Sequence, residues 1–159
     1  MTRPAPLAGI RVLDLTRLLP GPVATLHLAD LGAEVIKIED PQIGDYARTL
    51  GTGSGEDSAY FRMINRNKQG MVLDLKKPDG VAVFMRLAET ADVIVESFRP
   101  GVVDKLGIGY QAVRALNPKM AALQASRRTV PGSRRSFPSS RSCPLRVCRP
   151  TSTSRSRRV

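Results

Sequence analysis

Residues 9–40, GIRVLDLTRLLPGPVATLHLADLGAEVIKIED, decide the fold, because they form the pattern of a strand, a helix and a second strand. The apolar run 10–15 is short and contains β-branched residues, which suits a parallel strand that is covered on both faces. Pro22 is suited to the first turn of a helix, and Gly32 to the position just after its last turn. The apolar run 33–39 then predicts the second strand.

Strands and helices continue to alternate along the chain. The predicted elements are a ligand or lid loop over 40–57, a strand over 71–75, a helix from Pro78, a strand over 92–96 and short helices over 102–106 and 110–116. This order predicts an α/β fold with a doubly wound parallel sheet. Ligands in such sheets bind outside the carboxyl ends of the strands, so residues 16–22 and 39–44 are predicted to border the site.

The charge is divided unevenly along the 159 residues. Residues 1–122 hold fifteen of the 25 Lys and Arg and all 14 Asp and Glu, which leaves this part near neutrality. Residues 123–159 hold ten Arg and no acid, and they account for nearly all of the formal charge of +11. We therefore predict a partial α/β domain over 1–122 and a disordered Arg/Ser/Pro-rich tail over 123–159.

The sequence also gives expectations for the location of the protein and for metal binding. It has no apolar run of the roughly 20 residues that cross a bilayer and no signal-peptide core after Met1, so a cytoplasmic protein without membrane contact is expected. Cys143 and Cys148, the two cysteines, both lie in the tail, and no metal site is predicted.

Four motifs together resemble a known family. The segments GIRVLDLTRLLPGP, LADLGAEVIKIE, NRNKQGMVLDLKKPDG and ADVIVESFRPGVVDKLGIGY are similar to the N-terminal part of the class III CoA-transferases, from about Pro6 to Met120. The resemblance implies a Rossmann-like domain that binds coenzyme A or acyl-CoA as a substrate, with no permanently bound cofactor. It also implies an interlocked homodimer and a carboxylic acid as the second substrate.

The resemblance implies a set of CoA contacts in three loops and one helical turn. They are Leu19 and Pro20 after the first strand; Leu73, Asp74, Leu75 and Lys76 at the third; Ser97, Phe98 and Arg99 after the fourth; and Lys105, which faces the phosphates. Basic side chains at the carboxyl ends of parallel strands suit phosphate oxygens. Asp40 and Gln69 depart from the family, because basic residues are usual at both positions.

Other polar residues have simpler interpretations. Lys77 is an ordinary solvated charge, and Arg99 could equally be a surface charge that pairs with Glu96 or Asp104. His27 lies in the middle of a helix without a partner at metal spacing, and Asp14 lies inside a strand, where a structural acceptor is expected.

No catalytic residue is predicted in this chain. The resemblance implies an Asp nucleophile for CoA transfer, or a His and an Asp for an α-methylacyl-CoA racemase, in both cases downstream of Met120. Residues 121–159 contain no Asp, Glu or His, so the chain by itself is predicted to be inactive. Transferase and racemase both remain open.

The tail is interpreted as a frameshift product. One choice of codons for Ala125–Pro131, read in a shifted frame, gives Ile-Ser-Ala-Tyr-Gly-Pro, which restores the motif that the family has there. The alternative, from another class, is a non-catalytic binding protein with a nucleic-acid arm. The tail offers only Phe137 for stacking on a base, which disfavours a nucleic-acid partner.

Overall fold

A five-stranded parallel sheet forms the centre of the computed structural model, which describes residues 4–51 and 58–124. The strands are β1 (Arg11–Leu15), β2 (Glu34–Glu39), β3 (Lys68–Val72), β4 (Val93–Glu96) and β5 (Ala121–Gln124). Their order across the sheet is β3-β2-β1-β4-β5, and every neighbouring pair is parallel. The order reverses between β1 and β4, so the predicted doubly wound α/β fold is confirmed, and the switch point lies where these two strands end.

Helices cover both faces of the sheet. They are α1 (Pro20–Asp30), α2 (Ala59–Asn65), α3 (Pro78–Ala88), α4 (Val102–Lys105) and α5 (Tyr110–Leu116), and a 3-10 turn spans Tyr46–Thr49. Val12, Val35 and Val95 alternate along the strands with Leu13, Ile36 and Ile94. The first three pack with Ala29 of α1, and the second three pack with Phe84 of α3 and Val113 of α5. The period of two in a strand explains why both faces of these strands are apolar.

The third strand differs from its prediction. It was expected over 71–75, but β3 begins at Lys68 and ends at Val72, so Leu73–Leu75 lie in the loop that follows. The segment 68–70 is polar, which suits a strand at the edge of the sheet, where β3 pairs with β2 alone among the described strands. At an edge, backbone pairing can hold a strand without the continuous apolar pattern that a central parallel strand needs.

Smaller differences concern helix α1 and the long loop. Helix α1 begins at Pro20, two residues before the predicted start, and Leu31, the residue after its last turn, is exposed. Gly32 adopts a φ of 96° just after the helix, as expected of a C′ glycine. The predicted loop 40–57 contains the 3-10 turn, and its residues 52–57 lie outside the described residues.

The predictions for the tail also fall outside the described part of the chain. Residues 125–159 are not described, so the domain division at 122, the disorder and the frameshift stay predictions. Among the described helices, none is long and apolar enough to cross a membrane.

Candidate functional site

A pocket of about 230 Å³ opens at the carboxyl edge of the sheet, beside the switch point. Its walls come from the ends of β1 and β2, from the loops after β3 and β4, and from one side of α4. The lining residues are Leu15, Arg17, Ile38, Glu39, Asp40, Ile43, Leu73, Leu75, Lys76, Phe98, Val102 and Leu106. Most of them are apolar, and the four charged ones stand at the carboxyl ends of strands, as in many ligand pockets.

Four of the predicted contact residues line this pocket. Leu73, Leu75 and Phe98 supply apolar wall, and Lys76 supplies a cation whose side chain is 64% exposed. The loop that carries the first two is held to β2, because the Leu73 amide donates to the Glu39 carbonyl oxygen at 2.9 Å.

The other predicted contact residues are not among those that line the pocket. They are Leu19 and Pro20 at the start of α1, Asp74, Ser97, Arg99, and Lys105 on α4. Asp74 turns its carboxylate back to the Lys76 amide at 3.0 Å, and the Ser97 hydroxyl accepts the Arg17 amide at 3.3 Å. Both therefore shape the loops that border the pocket.

Asp40 and Lys76 form an ion pair at the pocket rim, with 3.3 Å between Oδ2 and Nζ. The pKa of Asp40 lies below its usual value, chiefly because the Gln42 amide donates a hydrogen bond to its carboxylate. Partial burial opposes this shift, and the Ile43 amide and Lys76 add to it. The carboxylate is thus charged at neutral pH. Asp40, which stands where the family usually has a basic residue, therefore partly neutralises the charge of Lys76.

Arg17 lines the pocket but is not among the CoA contacts that the resemblance implied, although it lies in the range 16–22 that was predicted to border the site. Its guanidinium carbon lies 5.8 Å from the centre of the Phe98 ring and 6.0 Å from that of Tyr46. Its place directly after a strand that ends at the switch point was a usable signal. No such signal indicated its two aromatic neighbours, since Tyr46 and Phe98 lie 29 and 81 residues further along the chain.

A buried ion pair lies beneath the β1–α1 loop. Nζ of Lys37 stands 2.8 Å from Oδ2 of Asp45, and both side chains are almost completely buried. Burial raises the pKa of Asp45, but Lys37 and the amides of Ala47 and Leu18 outweigh it and leave the pKa below its usual value. Lys37 also donates to the Thr16 carbonyl oxygen at 2.9 Å, and the Leu18 amide donates to Oδ1 of Asp45 at 3.0 Å.

A second buried pair joins β1 and β3. Nζ of Lys68 stands 3.1 Å from Oδ2 of Asp14 and also donates to Pro22, Thr25 and Asn65 at 2.8–2.9 Å. Burial lowers the pKa of Lys68, and Asp14 opposes the shift without cancelling it. Asp14 accepts from the Thr16 amide and from two hydroxyl groups and is wholly buried, so it is a structural acceptor, as expected.

Two glycines allow the close approaches that shape the pocket loops. A Cβ on Gly21 would lie 2.3 Å from Cβ of Thr16, and a Cβ on Gly80 would lie 2.0 Å from the Asp74 carbonyl oxygen. Any side chain at these positions would push α1 or α3 away from the loop it touches.

The described residues offer binding chemistry rather than a reactive group. Glu39, the other acid in the pocket, is held by the Arg48 guanidinium at 2.7 and 2.8 Å, and His27 is exposed on α1. No cluster of His, Cys, Asp or Glu among residues 4–51 and 58–124 could hold a metal ion. An apolar wall with cations at strand ends suits a ligand that is both aromatic and anionic.

The sequence is similar to those of known proteins. The sequence profile described as CoA-transferase family III matches residues 7–138. The chain is 45% identical over 121 residues to an acetyl-CoA:oxalate CoA-transferase of Acetobacter aceti, covering 76% of this chain and 31% of that protein. It is 46% identical over 114 residues to the human succinyl-CoA:glutarate CoA-transferase, covering 71% of this chain and 26% of that protein.

A solved structure is similar as well. The protein Rv3272 of Mycobacterium tuberculosis superposes with a TM-score of 0.72 at 42% identity, over 79% of this chain and 34% of that one. The chain therefore spans between about a quarter and a third of the length of these relatives.

Proposed function

This chain belongs to CoA-transferase family III, and from that premise we propose that its α/β domain binds the coenzyme A moiety of an acyl-CoA in the pocket at the switch point. The observation that carries the proposal is the lining of that pocket. Leu73, Leu75 and Phe98 form an apolar wall for the adenine ring, and cationic side chains stand beside it for the phosphates.

The proposed reaction of the whole protein is transfer of CoA from an acyl-CoA to a carboxylic acid. Relatives at 45–46% identity are named for oxalate and glutarate, which supports a short dicarboxylic acid as acceptor. These names also favour transfer over the racemase alternative. We further propose a cytoplasmic homodimer, on the strength of the family resemblance.

The chain by itself is proposed to bind without reacting. CoA transfer through a covalent anhydride needs a carboxylate positioned against the thioester carbonyl. Both acids of the pocket are paired, Glu39 with Arg48 and Asp40 with Lys76. No Asp, Glu or His follows Asp104 in the sequence. The nucleophile of the proposed reaction is therefore not assigned to any residue of this chain.

Calorimetric titration of the 159-residue chain with CoA and with adenosine tests the binding proposal. We expect Lys76→Glu to weaken CoA binding at least tenfold, about 1.4 kcal/mol, while adenosine binding changes much less. Lys77→Glu is the matched control, because Lys77 is adjacent and exposed but does not line the pocket. Equal losses in the two variants, or no binding of CoA by the unaltered chain, would contradict the proposal.

A further inference from the structure

Arg17 is the charged residue of the pocket that forms no ion pair with another described residue. The pocket is lined by four charged side chains, of which Glu39 is paired with Arg48 and Asp40 with Lys76. None of the ion pairs between described residues includes Arg17, and its guanidinium has the rings of Tyr46 and Phe98 as neighbours. The pocket thus presents one cation without a counter-charge from the described part of the chain.

The backbone on both sides of Arg17 is fixed by the buried Lys37–Asp45 pair. Lys37 binds the carbonyl oxygen of the residue before Arg17, and Asp45 binds the amide of the residue after it. The second of these residues, Leu18, has a φ of 70°, a left-handed conformation that is unfavourable for a non-glycine residue. The fold therefore maintains a strained loop whose central side chain lines the pocket.

The aromatic neighbours limit the freedom of the guanidinium itself. Rings about 6 Å from its central carbon, contributed by Tyr46 and Phe98, restrict the rotamers that the side chain can adopt. A planar guanidinium that is held in this way loses little entropy when it binds an anion, and its fork of donors matches two phosphate oxygens.

We propose that Arg17 binds a phosphate group of coenzyme A, and that the Lys37–Asp45 pair positions it for that contact. The inference rests on the proposed function, because it takes the ligand of the pocket to be CoA. It adds a residue that was not among the CoA contacts implied by the family resemblance. It also gives the buried ion pair a role in ligand binding besides its role in stability.

Calorimetry of the full chain with three ligands tests the contact. CoA and ADP carry phosphates, and adenosine does not. We expect Arg17→Gln to weaken CoA and ADP binding about tenfold or more and to leave adenosine binding within about twofold of the unaltered chain. Arg86→Gln, on the exposed side of α3, is the matched control and should leave all three affinities unchanged.

Each other outcome overturns the inference, and the outcomes are distinguishable. If the unaltered chain does not bind CoA, the proposed function and the inference fail together. If it binds CoA and Arg17→Gln binds it equally well, only the inference fails. An equal loss for adenosine would show that Arg17 maintains the shape of the pocket and does not contact phosphate.

A second measurement needs no variant. Phenylglyoxal modifies accessible arginines, and mass spectrometry locates the modified residue in the unaltered chain. We expect CoA and ADP to protect Arg17 and adenosine to leave it reactive. Modification of Arg17 at the same rate with and without saturating CoA would refute the contact.

Discussion

Replacing Lys37 with Met should cost far more stability than an ion pair normally provides. The change removes an ammonium group whose side chain is 2% exposed and leaves the Asp45 carboxylate, which is 0% exposed, without its counter-charge. Breaking a buried pair from one side typically costs about 3–5 kcal/mol. That is a large part of the roughly 5–15 kcal/mol by which domains are stable, so Lys37→Met should unfold at a much lower urea concentration.

The matched control is the exposed pair of Arg66 and Asp30, whose side chains are 54% and 29% exposed at an Nη2–Oδ2 distance of 2.6 Å. We expect Arg66→Met to cost only about 0.2–1 kcal/mol, because water screens both charges and the pair restricts two side chains. The two pairs have similar lengths, so the comparison isolates the effect of burial.

A double variant separates the charge from the packing. Asp45→Asn keeps an oxygen that can accept the Leu18 amide but removes the buried negative charge. In the Lys37→Met background it should restore about 1–3 kcal/mol, because the unpaired charge is gone. Urea unfolding followed by circular dichroism at pH 7 measures all of these variants. A Lys37→Met chain within about 1 kcal/mol of Arg66→Met would refute the reasoning.

Three further results are expected. Gly80→Ala should lose about 1–3 kcal/mol despite the better helix propensity of Ala, because its Cβ would meet the Asp74 carbonyl oxygen, whereas Gly70→Ala, with open space around it, should change little in the same urea experiment. Because the pKa of Asp45 is lowered in the folded state, its contribution to stability should be constant above about pH 5 and should disappear as the pH falls through the lowered pKa. Urea unfolding between about pH 2 and 6 should show less of this dependence for Asp45→Asn. The 159-residue chain should show no exchange of labelled CoA into an acyl-CoA and no α-proton exchange in deuterated water on a 2-methylacyl-CoA, and turnover above the buffer blank would contradict the absence of a nucleophile.

Much of the fold was predictable because it depends on local patterns. Runs of apolar residues mark β1, β2 and β4, proline marks the starts of α1 and α3, and Gly32 marks the end of α1. Each of these signals depends only on residues that are close together in the sequence, so it can be recognised without the tertiary structure. The edge strand β3 was displaced by three residues because its pairing with β2, rather than its own apolar content, makes it a strand.

The candidate pocket was predictable in part for the same reason. The rule that ligands bind at the carboxyl ends of parallel strands placed the site after β1 and β2, and the family resemblance added Leu73, Leu75, Lys76 and Phe98, all of which line the pocket. Neither source indicated which charges of the pocket would be paired with each other.

The sequence by itself determined the alternation of strands and helices and the edge of the sheet at which the pocket forms. Only the tertiary structure decided that Asp40 pairs with Lys76, that Lys37 and Asp45 hold the backbone around Arg17, and that this arginine keeps its charge uncompensated among the described residues. The physical reason is that charge pairing depends on distance in space, and the distances were set when β1, β2 and the loops after them packed together. Residues 36 positions apart, such as Asp40 and Lys76, carry no mark of that contact in the local sequence.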